Sequence, residues 1–313
     1  MDFELHHHRA SVKLRAGPFG LHLFQRDTGL NIFMDEVRIP PSQWARAPRQ
    51  VSIALTNACD LACPYCYAPK SPAALDAKKL AEWLRELDDN GCLGVGFGGG
   101  EPTLHREFIQ ICRQTAERTR LAVTFTTHAH RISAADRDKL RGSVHYVRVS
   151  VDGVGPAYES LRGRPFSALR SQLAIIREVS PFGINFVVNA CTLPHLTSGI
   201  GIGEEFGASE FLLLPEQPVA GTGGIDPTTL RALRQWIDRY RGGIPLAISE
   251  NYSENTASGS IGREKGLRAY AHVAANGFLK RSSYDAEGVL IGSGGVMEAL
   301  RRLEECPAGG KQP

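Results

Sequence analysis

No apolar run in the sequence approaches the ~18 residues that a membrane-spanning helix requires. Nor is there a long basic run. Lys and Arg number 36 against 33 Asp and Glu, a net charge of +3, so charge lends no support to nucleic-acid binding. The N-terminus, Met1-Asp2-Phe3-Glu4-Leu5, lacks the basic start and apolar core of a signal peptide. Paired cysteine spacing is missing as well. The seven cysteines are an odd count, and Cys92, Cys112, Cys191 and Cys306 are scattered, which does not look like a disulfide framework. A reducing cytoplasm fits that usage. The expectation is a cytoplasmic protein with no membrane or nucleic-acid partner. His6, His7 and His8 are read as a solvated cluster, with weak metal binding as the alternative.

The other three cysteines stand close together. Cys59-Asp60-Leu61-Ala62-Cys63-Pro64-Tyr65-Cys66 has the spacing CxxxCxxC and follows an apolar run, Val51–Leu55. That run reads as a buried strand, and the thiols as the loop leaving its C-terminal end. Three nearby thiolates can wrap one metal centre, one ligand short of the four that close an Fe–S or zinc site. About 30 residues on, Gly98-Gly99-Gly100-Glu101-Pro102 ends a second strand-like run, Leu93–Phe97.

At 313 residues, with 42% apolar and 22% charged residues, the chain can bury one barrel-sized core plus small additions. Residues 1–48 read as a β-rich extension, with strands at 11–15, 20–24 and 30–34 and turn chemistry at Arg26-Asp27-Thr28-Gly29. It is read either as a cover on the core or as an edge for a peptide strand. From residue 51 strands alternate with helices: strands at 51–55, 93–97, 121–126, 144–151, 184–188 and 210–214, helices after Asp76 and near 105–118, 133–141, 166–179 and 228–240. Six βα repeats within residues 49–243 predict an α/β fold with a parallel sheet and helices outside. Residues 244–313 change character. Asn276-Gly277 marks a hairpin, followed by a helix from about 295 to 305.

The cysteine loop and the Gly-Gly-Glu-Pro element, in that order and each after a strand, resemble the radical S-adenosylmethionine (radical SAM) enzymes. The resemblance implies a partial (β/α)6 TIM-like barrel. It implies one [4Fe–4S] cluster held by Cys59, Cys63 and Cys66, whose free iron chelates S-adenosylmethionine (SAM). An electron from a donor such as flavodoxin or ferredoxin would then yield a 5′-deoxyadenosyl radical that abstracts hydrogen from substrate. The C-terminal stretch resembles the SPASM and twitch elements that carry auxiliary clusters. Lys280-Arg281-Ser282-Ser283 stands where a cysteine usually follows the hairpin, so the element reads as retained and its cluster as lost.

The resemblance also extends to individual residues. Tyr65 is the aromatic before the third cysteine. Gly98, Gly99 and Gly100 approach the methionine amino group, with Glu101 beside them as cofactor contact or structural carboxylate. Thr127 and His128 follow the third strand, where relatives have Thr-Asn-Gly. Ser150 and Asp152 close the fourth strand and bind ribose or position methionine. Arg162 is suited to the methionine carboxylate. Asn189, Cys191 and Glu216 lie past the fifth and sixth strands, where parallel strands present functional groups. Cys191 is the candidate catalytic residue as a hydrogen-atom donor, with a small buried cysteine as the plainer reading.

Three functions compete. The first is modification of a ribosomal peptide. The second is radical chemistry on a small molecule such as a nucleotide or sugar. The third is a non-catalytic Fe–S or zinc module, with His105, His128 or His130 as fourth ligand of a Cys3His site. At least one flanking segment, residues 1–48 or 270–305, is expected to close the mouth of the barrel. With one cysteine set and no second, anaerobically reconstituted protein should hold about four irons per chain by iron and sulfide analysis. Near eight would show that the C-terminal element keeps a cluster.

Overall fold

The computed structural model describes residues 12–219, 223–249 and 264–306. The expected His tract at residues 6–8 lies outside them. Six parallel strands stand side by side in chain order: β4 (Gln50–Thr56), β5 (Gly94–Gly99), β6 (Ala122–Thr127), β7 (Tyr146–Ser150), β8 (Phe182–Val188) and β9 (Phe211–Pro215). This is the parallel α/β sheet that the alternating pattern predicts and the partial (β/α)6 barrel that the resemblance implies.

Alternation along these strands separates two faces. Val51, Ile53 and Leu55 are buried, as are Val95, Phe97, Val123, Phe125, Val147 and Val149. They pack under the helices α1 (Ala77–Asp89), α2 (Phe108–Arg118), α3 (Ala134–Leu140) and α5 (Phe166–Ile176) in one continuous core. Asp76 starts α1 by accepting from the amides of Lys78 and Lys79. Leu80, Trp83, Leu84 and Leu87 then recur at helical spacing and are buried. Ser52, Gly96, Thr124, Thr126, Arg148, Ser150 and Asn185 face the other way and are only half-buried. They form the concave face.

Sequence reasoning missed two helices and a strand, α4 (Pro156–Arg162), α6 (Leu196–Phe206) and β10 (Leu246–Ile248). Gly199, Gly201 and Gly203 lower the helix propensity of α6 and masked it. Packing makes up the difference. A Cβ on Gly199 would stand 2.9 Å from the Phe186 ring, and one on Gly203 2.9 Å from Ile244. The bare helix surface therefore lies directly on β8.

The C-terminal segment adds to this sheet. β11 (Tyr270–Val273) pairs parallel with β4, then β12 (Phe278–Lys280) and β13 (Val289–Leu290) follow antiparallel. The Asn276-Gly277 turn joins β11 to β12, with Gly277 at φ +82°. The final helix, α8 (Gly295–Glu305), starts on Glu86 of α1, whose carboxylate accepts from the amides of Val296 (2.8 Å) and Met297 (3.2 Å).

The N-terminal strands β1 (Val12–Gly17), β2 (Gly20–Gln25) and β3 (Leu30–Met34) form a separate antiparallel sheet. Its anchors all lie at the N-terminal ends of the barrel strands. Arg15 donates to the carbonyls of Ala47 and Gly91 and pairs with Glu264, while Lys13 pairs with Asp88 and reaches the Cys92 carbonyl. Arg26 donates to the carbonyls of Ala116, Thr119 and Leu121. The N-terminal sheet sits at the end of the barrel opposite the cysteine loop, so of the two flanking segments expected to close the mouth it is not the one that does.

No described helix is long and apolar enough to cross a membrane. Gly199→Ala should lower stability by about 1–3 kcal/mol in urea unfolding, because overpacking against Phe186 outweighs the gain in helix propensity. A stabilised variant would mean that the α6–β8 contact is loose.

Candidate functional site: the cysteine loop at the barrel mouth

β4 ends at Thr56 and the chain turns directly into the cysteine loop. Cys59, Cys63 and Cys66 are free and half-buried. Burial pushes the Cys59 and Cys63 thiols up, and the Arg162 guanidinium pulls Cys63 back down. The end of β5 is pressed against the start of this loop. The Gly100 amide donates to the Thr56 carbonyl and the Glu101 amide to that of Ala58, each at 2.8 Å. A Cβ on Gly99 would stand 2.2 Å from the Thr56 oxygen, and one on Gly100 2.3 Å from the Ala58 oxygen. Two of the three glycines thus serve a backbone-to-backbone contact, and Gly99 also takes φ +117°. Gly98 is different, since a Cβ there would meet nothing within 4 Å, and it faces the open hollow.

Two buried carboxylates brace this end. Glu101, 1% exposed, accepts from the Thr103 amide and hydroxyl, the Thr127 hydroxyl (2.8 Å) and the His128 amide (2.9 Å). It joins the tips of β5 and β6 as a structural carboxylate. Asp152, also 1% exposed, accepts from the Val187 amide and the Tyr65 hydroxyl, each at 2.7 Å, and pairs with Arg162. Both its oxygens are therefore engaged by protein. Burial and the neighbouring Asp152 charge raise the Tyr65 pKa, which keeps the phenol a donor. Arg162 also donates to Cys63 Sγ at 3.4 Å and lies 6.0 Å from the centre of the Tyr65 ring. The guanidinium expected at a carboxylate is turned toward Asp152 and a thiol. Its Nε is buried with no hydrogen-bond partner among the described residues.

Cys59, Asp60 and His128 offer ligand atoms within 4.8 Å of one another. Their remaining capacity is small. Asp60 accepts from Arg131 (3.1 Å) and Arg164 (2.8 Å) and bonds His128 Nε2 at 2.8 Å. The ring nitrogens also answer the zinc alternative. His128 Nδ1 accepts from the His130 amide, and His105 bonds the Leu75 carbonyl through Nε2 and the Glu107 amide through Nδ1. His130 gives Nε2 to the Tyr158 hydroxyl at 2.7 Å, and burial beside His128 pushes its pKa down to about 4. His105 and His128 thus have both ring nitrogens engaged by the protein, and His130 its Nε2.

Ala129, after His128, takes φ +73°, where an L-residue is strained by roughly 1–2 kcal/mol. Relatives' Thr-Asn-Gly would place glycine there, a signal that the departure at Thr127-His128 contained.

Ser150 ends β7 on the concave face, paired in register with Asn185. Asn189 is more constrained. Its Oδ1 accepts from the amides of Cys191 and Thr192, and its Nδ2 donates to Glu216 at 2.7 Å. Cys191 is exposed on that turn, not buried as its plainer reading had it.

The C-terminal element meets the cysteine loop on the other side. Tyr67, next after Cys66, lies 4.8 Å from the Tyr284 ring. Below it, Ser52 bonds the Tyr270 hydroxyl and His272 Nδ1. Of the two flanking segments, this is the one that reaches the mouth.

Residues 53–199 match the family model described as the Radical SAM superfamily. The PqqA peptide cyclase of Ruegeria pomeroyi is 27% identical over 163 residues, covering 50% of this chain and 42% of that protein. The GTP 3',8-cyclase of Caulobacter vibrioides is 28% identical over 167 residues, covering 50% and 47%. The chain thus spans less than half the length of these two relatives. Among solved structures, Streptococcus suis SuiB bound to precursor peptide SuiA aligns with TM-score 0.74 at 16% identity, covering 95% of this chain and 88% of SuiB. SuiB bound to S-adenosylmethionine aligns with TM-score 0.69 at 16% identity, covering 87% and 82%. With the thiol loop and the glycine strand at one end of one parallel sheet, the match identifies residues 53–199 as a radical SAM domain.

Proposed function

We propose that this chain cleaves SAM reductively at a single [4Fe–4S] cluster and modifies a ribosomal peptide. The residues present fit both groups. Three free thiols share one loop, Gly98 leaves space on the concave side, and the Arg162 guanidinium holds a buried, unpartnered N–H. Cys59, Cys63 and Cys66 would hold the cluster. When bound, cluster and SAM supply a one-electron cleavage that ends in hydrogen abstraction from substrate.

The protein's own part is to hold and orient. Glu101 and Asp152 fix the strand tips that the cysteine loop leans on. Arg162 places a positive charge against Cys63, which favours the thiolate. Gly98 and Ser150 line the side of the hollow open to the methionine and ribose of SAM. Tyr67 and Tyr284, in ring contact with each other, stand at one flank of the mouth. Cys191, exposed past β8, is the candidate hydrogen-atom donor. A flavodoxin- or ferredoxin-like protein would supply the electron.

The breadth of the concave face carries the peptide reading. Half-buried hydroxyl, amide and glycine positions run across β4 to β8. At ~4.8 Å per strand, β4 to β9 span about 24 Å, room for several residues of extended chain. The peptide named with PqqA cyclase and with SuiB supports the same substrate class. The GTP cyclase relative supports a small molecule instead, and incubation with candidate precursor peptides or nucleotides decides between them.

Two glycine variants separate the roles of loop and hollow. Gly98→Ala should load iron like wild type but bind SAM about tenfold more weakly or worse, a loss of about 1.4 kcal/mol. Gly100→Ala should lose iron, because its methyl runs into the Ala58 carbonyl. Cys59→Ala, Cys63→Ala and Cys66→Ala should each abolish SAM cleavage, and Cys112→Ala, buried in the core, should not. Wild-type SAM affinity in Gly98→Ala would remove the hollow as the SAM site. Cleavage surviving loss of a loop cysteine would remove the function itself.

A further inference from the structure

The N-terminal sheet has its polarity reversed. Its charged positions face the barrel, with Lys13 and Arg15 each 2% exposed and His22 3%. The alternate positions face outward and, Gln25 apart, are apolar. Leu14 is 56% exposed, Leu30 45% and Ile32 44%, with Leu21, Leu23 and Met34 half-buried among them. Register places these side chains on one surface: Leu14 is opposite Leu23 and Leu23 opposite Ile32, while Leu21 is opposite Met34. No outward position on the three strands carries a charge.

We propose that this face is the interface between two copies of the chain, packed sheet on sheet about a two-fold axis. An uncharged apolar surface is complementary to itself, since its meeting with a second copy sets no like charges together. A charged partner would find no counter-charge on it. The size agrees. Three strands of five or six residues make a face of about 14 by 20 Å. Stacked with a second face at ~10 Å spacing, it buries roughly 1,000 Å² in total. That is the lower end for a specific interface, so a dimer dissociating at micromolar concentration is expected. The sheet lies at the end of the barrel opposite the cysteine loop, so both mouths in such a dimer point outward and stay open. The inference does not depend on the substrate proposed above.

The test is sedimentation of the full chain from about 1 to about 100 µM, a range that brackets a weak interface. The wild type should move from the 34.1 kDa monomer toward twice that mass as concentration rises. Leu14→Glu and Ile32→Lys should each weaken association roughly tenfold or more while keeping the wild-type melting temperature, because both sites are exposed. Leu290→Glu, equally exposed at 51% but on β13, should still dimerise. A wild type monomeric throughout overturns the proposal. So does a dimer that Leu14→Glu and Ile32→Lys leave intact, since its contact lies elsewhere. A monomer that captures substrate peptide, with capture lost in Leu14→Glu, overturns it in favour of a peptide-docking face.

Discussion

The buried carboxylate of Asp152 is the interaction on which the mouth of this barrel depends. One side chain on the chain leaving β7 holds the β8 backbone through Val187, the cysteine loop through Tyr65 and the end of α4 through Arg162. Hydrogen bonds to a buried charge are worth about 1.5–3 kcal/mol each. The larger effect is the asymmetry. Without Asp152, Arg162 would be a buried cation lacking its counter-charge, and such losses run to about 3–5 kcal/mol. The cysteine loop has no regular secondary structure of its own to hold it. Its geometry is borrowed from Asp152 on one side and from the contact of Gly99 and Gly100 on the other.

Legibility in the sequence followed the range of the interactions. The thiol spacing and the glycine run are local, so both motifs and their strand ends could be placed from the chain alone. Six strands followed from apolar runs, because a parallel sheet buried under helices needs them. The roles of Glu101 and Asp152 could not be read this way. Their partners lie far off: Thr127 is 26 residues from Glu101 and Tyr65 is 87 from Asp152. The resemblance marked both as candidates, but only the fold shows that their oxygens are occupied by protein. Helix α6 was hidden for a related reason, since its glycines look like loop until Phe186 and Ile244 are seen against them. The surroundings of Cys191 were illegible because it sits on a turn, where no periodicity separates inside from outside.

Alternation also leaves open which face of a strand points inward. In β1, Val12 and Leu14 alternate with Lys13 and Arg15, and the charged face is the buried one. The barrel explains this choice. Each outer helix runs opposite to its strand, so helix N-termini collect at the cysteine end and helix C-termini at the other. Unpaired carbonyls and the negative ends of the helix dipoles therefore gather beneath the barrel. Arg26 caps α2 through the carbonyls of Ala116 and Thr119, and Lys13 and Arg15 meet Asp88 in the last turn of α1 and Gly91 and Cys92 past its end. A sheet laid across that end must turn its cations inward. Strand geometry then sends the alternate, apolar side chains outward. The same dipoles set the positive helix ends at the cysteine loop. The field of one ring of helices thus accounts for the inverted sheet laid across the other end.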